Sequence, residues 1–266
     1  SEGYTRVPIA AAATEPTNNT TTSEDITVGS STIEAVSAES AKDVAAKINA
    51  VSAATGVTAT SETYAHLFST NNSSETYSVE ITGTSTGNFA ISSTSVSAAV
   101  TAINSKSGTT GVTASATSDF RVLLHDIDGD DITIENETGS QANLDVLAVK
   151  RDGTTTQGST AVDLAGAGGN DATRIVGTLR LVSDSSFSVT QSGTEGAYST
   201  SAPLGPTNDN YFTTKAATLN TVSNIDLRSQ SGAALAIGIL DGAIEKISSM
   251  RADLGAIENR LDHTVS

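Results

Sequence analysis

The sequence predicts an α+β chain: a β-rich body containing two β-α-β-like repeats, followed by a long C-terminal helix of coiled-coil type. Three observations lead there. Short runs of Val, Ile, Leu and Thr, punctuated by Gly, Asn and Asp, recur between residues 26 and 190 and mark strands. A helix-then-strand motif is written twice, near residues 26–60 and 77–115. From Gly232 to about Asp262 there is no Pro, and apolar residues return at helical steps. The 266 residues divide on this reading into an irregular lead-in (1–25), a β-rich domain (26–205) and a helical segment (206–266).

In the lead-in, Ala10 to Ala13 is a short apolar run, while Thr17 to Ser23 is a polar tract with no reason to pack. The repeat follows. Its first copy contains Ala41 to Asn49 and then Thr55-Gly56-Val57-Thr58-Ala59, and its second contains Val96 to Asn104 and then Thr110-Gly111-Val112-Thr113-Ala114. The Ile-Asn pairs and the Thr-Gly-Val-Thr-Ala blocks share one spacing, 55 residues (103 − 48 and 110 − 55), so chance alignment is a poor explanation.

Ala41, Val44, Ala45 and Ile48 fall on one helical face, and Val96, Ala99, Val100 and Ile103 repeat it. Ser40 and Asp43 have capping-box spacing. Gly56 and Gly111 are placed to end each helical segment, and Val-Thr-Ala suits the strand that follows. A strand-like run precedes each helix, Ile26 to Val36 in one copy and Tyr77 to Ile91 in the other. Ile48 and Ile103 are expected to occupy equivalent buried positions.

Residues 120–190 read as mostly β. Strands are expected at Phe120 to Leu124, Ile132 to Ile134, Leu144 to Val149, Ile175 to Val182 and Phe187 to Thr190, with a turn at Asp128-Gly129-Asp130. Gly166 to Asn170 is a loop. Gly193 to Asn210, with Pro203 and Pro206, is another loop and a candidate boundary.

Ser229 suits a helix N-cap. In the helix that follows, one heptad position is filled by Ile237, Ile244, Arg251 and Glu258, and the other by Leu240, Ile247, Leu254 and Leu261. A stripe this narrow is the seam of a coiled coil or helical bundle. The seam is expected to be buried against a helix or strand of this chain or of a neighbour. Arg251 and Glu258 either set register with a partner helix or reach past the seam to water. Gly238, Gly242 and Gly255 each cost roughly 1 kcal/mol against Ala in a helix interior, which is more natural where another backbone packs close by.

Composition narrows the function. The net charge of −16 argues against nucleic acid, because phosphates would be repelled. The same charge keeps an abundant protein soluble. There is no Cys, so disulfides, thiolate nucleophiles and thiolate metal sites are excluded. Aromatic residues are only 4% of the chain, so its core must be built from Val, Ile, Leu and Ala. No stretch approaches the ~20 apolar residues of a membrane helix, and the start Ser1-Glu2-Gly3-Tyr4 is not a secretory signal of the basic-then-apolar type.

No reaction chemistry stands out. Gly83-Thr84-Ser85-Thr86-Gly87 matches a nucleophile-elbow pattern, but the motif needs a strand before it and a helix after it, and Asn88 to Ile91 reads as a strand. Asp126, Asp128, Asp130 and Asp131 lack the glycine and glutamate positions of an EF-hand loop and read as a β-turn. His66, His125 and His263 are isolated and read as ordinary surface or loop residues. The Asn-x-Ser/Thr triplets at Asn18, Asn19, Asn71, Asn72 and Asn136 read as incidental. No catalytic residue, metal ligand or cofactor is expected.

The run from Ala243 to Leu261, AIEKISSMRADLGAIENRL, closely resembles the C-terminal helix of bacterial flagellins, and Leu219 to Leu227 resembles the approach to it. Flagellins often carry Gln where this chain has Glu258. The Ile-Asn…Thr-Gly-Val-Thr-Ala copies resemble a repeat of the outer domains of flagellins and hook-associated proteins.

The resemblance implies a secreted, extracellular structural subunit, not an enzyme, that polymerises with copies of itself into the flagellar filament for motility. It implies inner helices in the filament core and a β-rich, surface-exposed outer domain, here residues 26–205. It also implies an export chaperone and an innate-immune receptor as partners, with neither nucleic acid nor membrane. On the same basis the chain is expected to be a flagellin lacking the N-terminal helices and the extreme C-terminal helix. A hook–filament junction protein and a secreted adhesin or binding module are the alternatives.

Overall fold

The computed structural model describes residues 11–16, 24–36, 39–70, 74–139, 142–156, 161–166, 169–192, 215–216, 225, 227–228 and 230–265. The architecture is α+β, β-rich with a long C-terminal helix.

Turn residues split the strand-like run before the first helix into a hairpin, β1 (Glu24–Val28) and β2 (Ser31–Val36). Gly29 has φ +59°, the left-handed conformation that tight hairpin turns require and that glycine adopts without a Cβ clash. Next come α1 (Ala41–Ala50), the single turn α2 (Ser52–Thr55) and β3 (Val57–Phe68). Ser40 and Asp43 form the expected reciprocal cap of α1, which satisfies backbone donors that a helix start leaves free. Ala41, Val44, Ala45 and Ile48 are the buried face. Gly56, at φ +67°, ends the helical segment.

The next five elements run in the same order: β4 (Glu75–Ile81), β5 (Thr84–Ile91), α3 (Ser97–Asn104), α4 (Ser107–Thr110) and β6 (Val112–Ala116). Gly111 has φ +75°. Ile48 and Ile103 are both fully covered. The rest of the body is β7 (Val122–Asp126), β8 (Ile132–Asn136), β9 (Leu144–Val149), β10 (Val162–Leu164), β11 (Ala172–Ile175), β12 (Thr178–Ser183), β13 (Ser188–Ser192) and β14 (Lys215–Ala216). The helix α5 (Gln230–Val265) closes the chain.

The strands form three sheets, ordered β14-β13-β1-β2, β10-β9-β3-β7-β6 and β11-β8-β4-β5, with β12 also on β3. β3 is the shared spine. Its residues Val57 to Glu62 pair with β12, and its residues from Thr63 onward pair with β7 and β9. Apolar residues sort into two separate cores. One holds Ile26, Val44, Ile48, Val57, Leu179 and Val189. The other is built from residues between Ala65 and Ile175.

Four expectations about the body change. The strand expected from Phe120 to Leu124 runs instead from Val122 to Asp126, with Phe120 in the preceding turn at φ +58°. The run Ile175 to Val182 is two strands, broken at Val176-Gly177 where the chain passes from pairing with β8 to pairing with β3, and a Cβ on Gly177 would lie 2.5 Å from Thr63 Oγ1 and 2.9 Å from the Ala41 Cβ. The lead-in is not wholly irregular, since Ala12 bridges to Ala172 at the β11 edge. The histidines are not all surface or loop residues: His66 is buried in β3, and His125 lies within β7. The loop at Gly193 to Asn210 and the cap Ser229 lie outside the described residues.

Candidate assembly surface

Ala, Leu, Ile, Glu, Lys and Arg dominate the 36 residues of α5, all of them favourable helix formers apart from the weaker Ile. At ~1.5 Å per residue the helix is about 54 Å long. Its first turns lie against the body. Ala236 is buried, Gly238 comes close to the Arg180 guanidinium, and Lys246 Nζ stands 3.9 Å from Asp184 Oδ2. An exposed ion pair at that distance contributes little, so packing at Ala236 and Gly238 does more to seat the helix.

The large apolar side chains of the helix are nonetheless exposed, beside that contact as well as beyond it. Ile237, Leu240, Ile244, Ile247, Met250, Leu254, Ile257 and Leu261 are 44–64% exposed. Eight large apolar side chains along one helix are a contiguous patch, not the scattered exposed leucines of an ordinary surface. All eight sequence-derived seam residues lie on this helix. Nothing among the described residues covers them. Arg251 and Glu258 are exposed as well.

A strict heptad missed two members of the patch, Met250 and Ile257. From Ile237 the apolar steps are three, four and three residues, then three again to Met250, then four, three and four to Leu261. The repeated step of three at Ile247–Met250 is a discontinuity of the kind that overwinds a coiled coil. On a straight helix it rotates the second half of the stripe by roughly a quarter turn from the first. Arg251 and Glu258 therefore flank the apolar stripe instead of interrupting it. The irregular step, visible in the sequence, was the signal for this shift.

The other candidates resolve into structural roles. Ser85 lies within β5, so no strand-to-helix elbow exists there, and its hydroxyl donates to Glu137. Asp126 Oδ1 accepts from the backbone N–H groups of Asp128, Gly129 and Asp130 at 3.0, 2.9 and 3.3 Å, which ties the turn together. Burial pushes the Asp126 carboxyl above its ordinary value. Lys42 bridges Asp128 and Asp130. Among the described residues no group of three or more His, Asp or Glu is arranged to hold a metal ion. Asn136 is buried, donates to the carbonyls of Ala142 and Leu164 and accepts from the Thr138 N–H, so it is closed to modification. Asn18, Asn19, Asn71 and Asn72 lie outside the described residues.

The densest polar cluster surrounds Glu62. Its carboxylate meets the Tyr64 hydroxyl at 2.7 Å, His125 Nε2 at 3.1 Å and the Arg151 guanidinium, and the Tyr64 and His125 rings stack 4.1 Å apart. Burial opposes ionisation of Glu62. The bonds from His125 and Tyr64, with the Arg151 charge, outweigh it and hold the carboxyl below its ordinary value. Burial and the neighbouring Glu62 push the Tyr64 phenol far above its own. The cluster neutralises itself and offers no activated nucleophile.

No helix among the described residues is long and apolar enough to cross a membrane. No family model matches the chain. Among curated proteins it is 29% identical over 139 residues to the B-type flagellin of Pseudomonas aeruginosa, an alignment covering 52% of this chain and 26% of that protein. It is 28% identical over 155 residues to flagellin D of Vibrio cholerae, covering 57% of this chain and 35% of that one. A 45-residue stretch is 60% identical to flagellin FlaB2 of Treponema pallidum, covering 17% and 15%. The chain thus spans roughly a third or less of the length of these relatives.

Proposed function

We propose, from the premise that this chain is a relative of the bacterial flagellins, that it is a structural subunit that assembles with copies of itself into the filament of the bacterial flagellum. The uncovered apolar stripe on α5 carries the reading. An exposed stripe over so long a helix is costly in water and is relieved by packing another helix against it. Ile237, Leu240, Ile244, Ile247, Leu254 and Leu261 would form the seam in the assembled state, with Arg251 and Glu258 at its rim fixing register. Residues 206–266 would then belong to the inner, helical part and residues 26–205 to the outer part facing water. Within the outer part, the segments near 26–60 and 77–115 are two copies of one β-α-β-like unit. Matching bonds support this: Asn49 and Asn104 each hold the backbone of the alanine ten residues on.

An export chaperone and an innate-immune receptor are further partners consistent with an uncovered helix. Negative-stain imaging of the native full-length protein tests the assignment. Long filaments are expected. Short caps would mean a hook–filament junction protein, and no polymer would mean an adhesin-like binding module.

A further inference from the structure

The strand registers extend the duplication well beyond the segments that look alike in sequence. In the first unit β3 pairs with β12 through Val57↔Ser183, Ala59↔Leu181 and Ser61↔Leu179. In the second, β6 pairs with β7 through Val112↔Asp126, Ala114↔Leu124 and Ala116↔Val122. These are the same pairs, position for position. Each returning chain then lays its next strand on the opening hairpin. Val28↔Val189, Thr27↔Thr190 and Ile26↔Gln191 in the first unit correspond to Ile81↔Ile134, Glu80↔Glu135 and Val79↔Asn136 in the second.

The hairpins agree too. Val28↔Ser31 and Thr27↔Thr32 correspond to Ile81↔Thr84 and Glu80↔Ser85, and each hairpin then slips its register once. Thr82 holds the left-handed turn position that Gly29 fills in the first hairpin, at φ +47° against +59°. The two turns differ in type all the same, since Gly83 beside Thr82 is also left-handed, at φ +72°, whereas Ser30 beside Gly29 is not.

We infer that the body is one β-β-α-β-β-β unit present twice, with the second copy inserted inside the first. The second copy is contiguous, from β4 to β8. The first is discontinuous. It runs from β1 to Glu62, leaves, and is completed by β12 and β13 after the whole of residues 63–177. In the second copy the same connection is the short turn Thr117–Arg121 between β6 and β7. The two cores respect this division: Leu179, Leu181 and Val189 share a core with Ile26 and Ile48, joined by Val176 just before β12, while residues from Tyr77 to Ile134 build into the other.

The copies are clamped where they meet. The second copy's loop Ile127–Asp131 accepts hydrogen bonds from the first copy's side at three carbonyls. Ser61 Oγ donates to Asp128 O at 2.6 Å, the Lys42 N–H to Gly129 O at 3.1 Å and Thr63 Oγ1 to Asp130 O at 2.7 Å. The turn Thr117–Arg121 is then the counterpart of the point where the first copy admits a whole second unit. Its Phe120 is exposed and stands at φ +58°.

The inference is independent of the filament assignment, and amide hydrogen exchange on the whole chain tests it. Ile48→Val trims the first core and Ile103→Val the second, both mild enough to leave the protein folded. Ile48→Val should speed exchange roughly 2- to 10-fold in β1, β2, α1, β12 and β13, including residues far away in sequence, and leave 75–136 unchanged. Ile103→Val should do the reverse. An Ile48→Val protein with β12 and β13 unaffected, or with 75–136 loosened equally, would overturn the nested arrangement.

Discussion

The carboxamide of Asn49 grips the backbone of Ala59 on both sides of its Cα: Nδ2 donates to the Ala59 carbonyl at 2.9 Å, and Oδ1 accepts from the Ala59 N–H at 2.7 Å. Asn104 does the same to Ala114, at 2.9 and 2.8 Å. Each contact ties the last turn of a helix to the strand it feeds, using a side chain to imitate a backbone ladder. Asn49→Ala loses both bonds and should cost about 1–2 kcal/mol, while Asn49→Asp, which keeps an acceptor but no donor, should also destabilise. Urea unfolding midpoints read both, and an alanine variant as stable as the parent would show that the grip is incidental.

Gly129 sits where backbone conformation and space both exclude a side chain. Its φ is +83°, and a Cβ there would fall 2.4 Å from the Ser61 Cβ. Gly87 has φ +71° with nothing within 4 Å, which makes it the control. Gly87→Ala should cost about 1–2 kcal/mol for the left-handed backbone alone. Gly129→Ala should cost that plus about 1–3 kcal/mol for displacing β3. Equal thermal shifts in the two variants would mean that the loop yields and the clamp is soft.

His66 is buried in β3, and neither ring nitrogen has a hydrogen-bond partner. Burial and the nearby Arg121 charge hold its folded-state value below 6.5, with Asp119 opposing. Above pH 6.5 both folded and unfolded chains carry it neutral. Below that, the unfolded chain takes the proton first, so stability falls as pH drops from 6.5 toward the folded value. His66→Leu should remove this part of the slope and be more stable than the parent near pH 5.5. Parallel stability-versus-pH curves for the two proteins, measured between pH 7.5 and 5, would contradict the assignment.

The exposed stripe separates folding from assembly. Leu254 is uncovered by the described residues, so Leu254→Ala should leave the chain's melting within about 0.5 kcal/mol of the parent. In the full-length protein the same change should weaken filaments, since a leucine truncated in a packed interface costs 2–5 kcal/mol, an order-of-magnitude range from buried sites. Filament yield by sedimentation beside calorimetry of the unassembled protein makes the comparison. Loss of monomer stability without loss of assembly would reverse the roles given to α5.

Short-range physics made part of this protein legible in its sequence. The cap of Ser40 on Asp43, the left-handed glycines at 56 and 111, the Asn grips and the apolar spacing of α5 are all decided by residues within about ten positions of one another, so the pattern of residues carries them. The irregular step from Ile247 to Met250 was equally local, and only an imposed strict heptad hid it. The tertiary structure alone decided the rest. That β12 and β13 complete a unit begun at Glu24 depends on strand pairing across the whole inserted copy, where no connecting turn fixes the partner as it does in the hairpins. Gly177 must be glycine because Thr63 and Ala41 arrive there from elsewhere in the chain. His66 is buried in a strand flanked on both edges, by β7 through Leu123 and by β9 through Leu147, both distant in sequence. The apolar stripe of α5 is exposed because no described part of the body packs on it. The periodicity marks which residues seek a partner, and only the packed chain shows that none of its described parts supplies one.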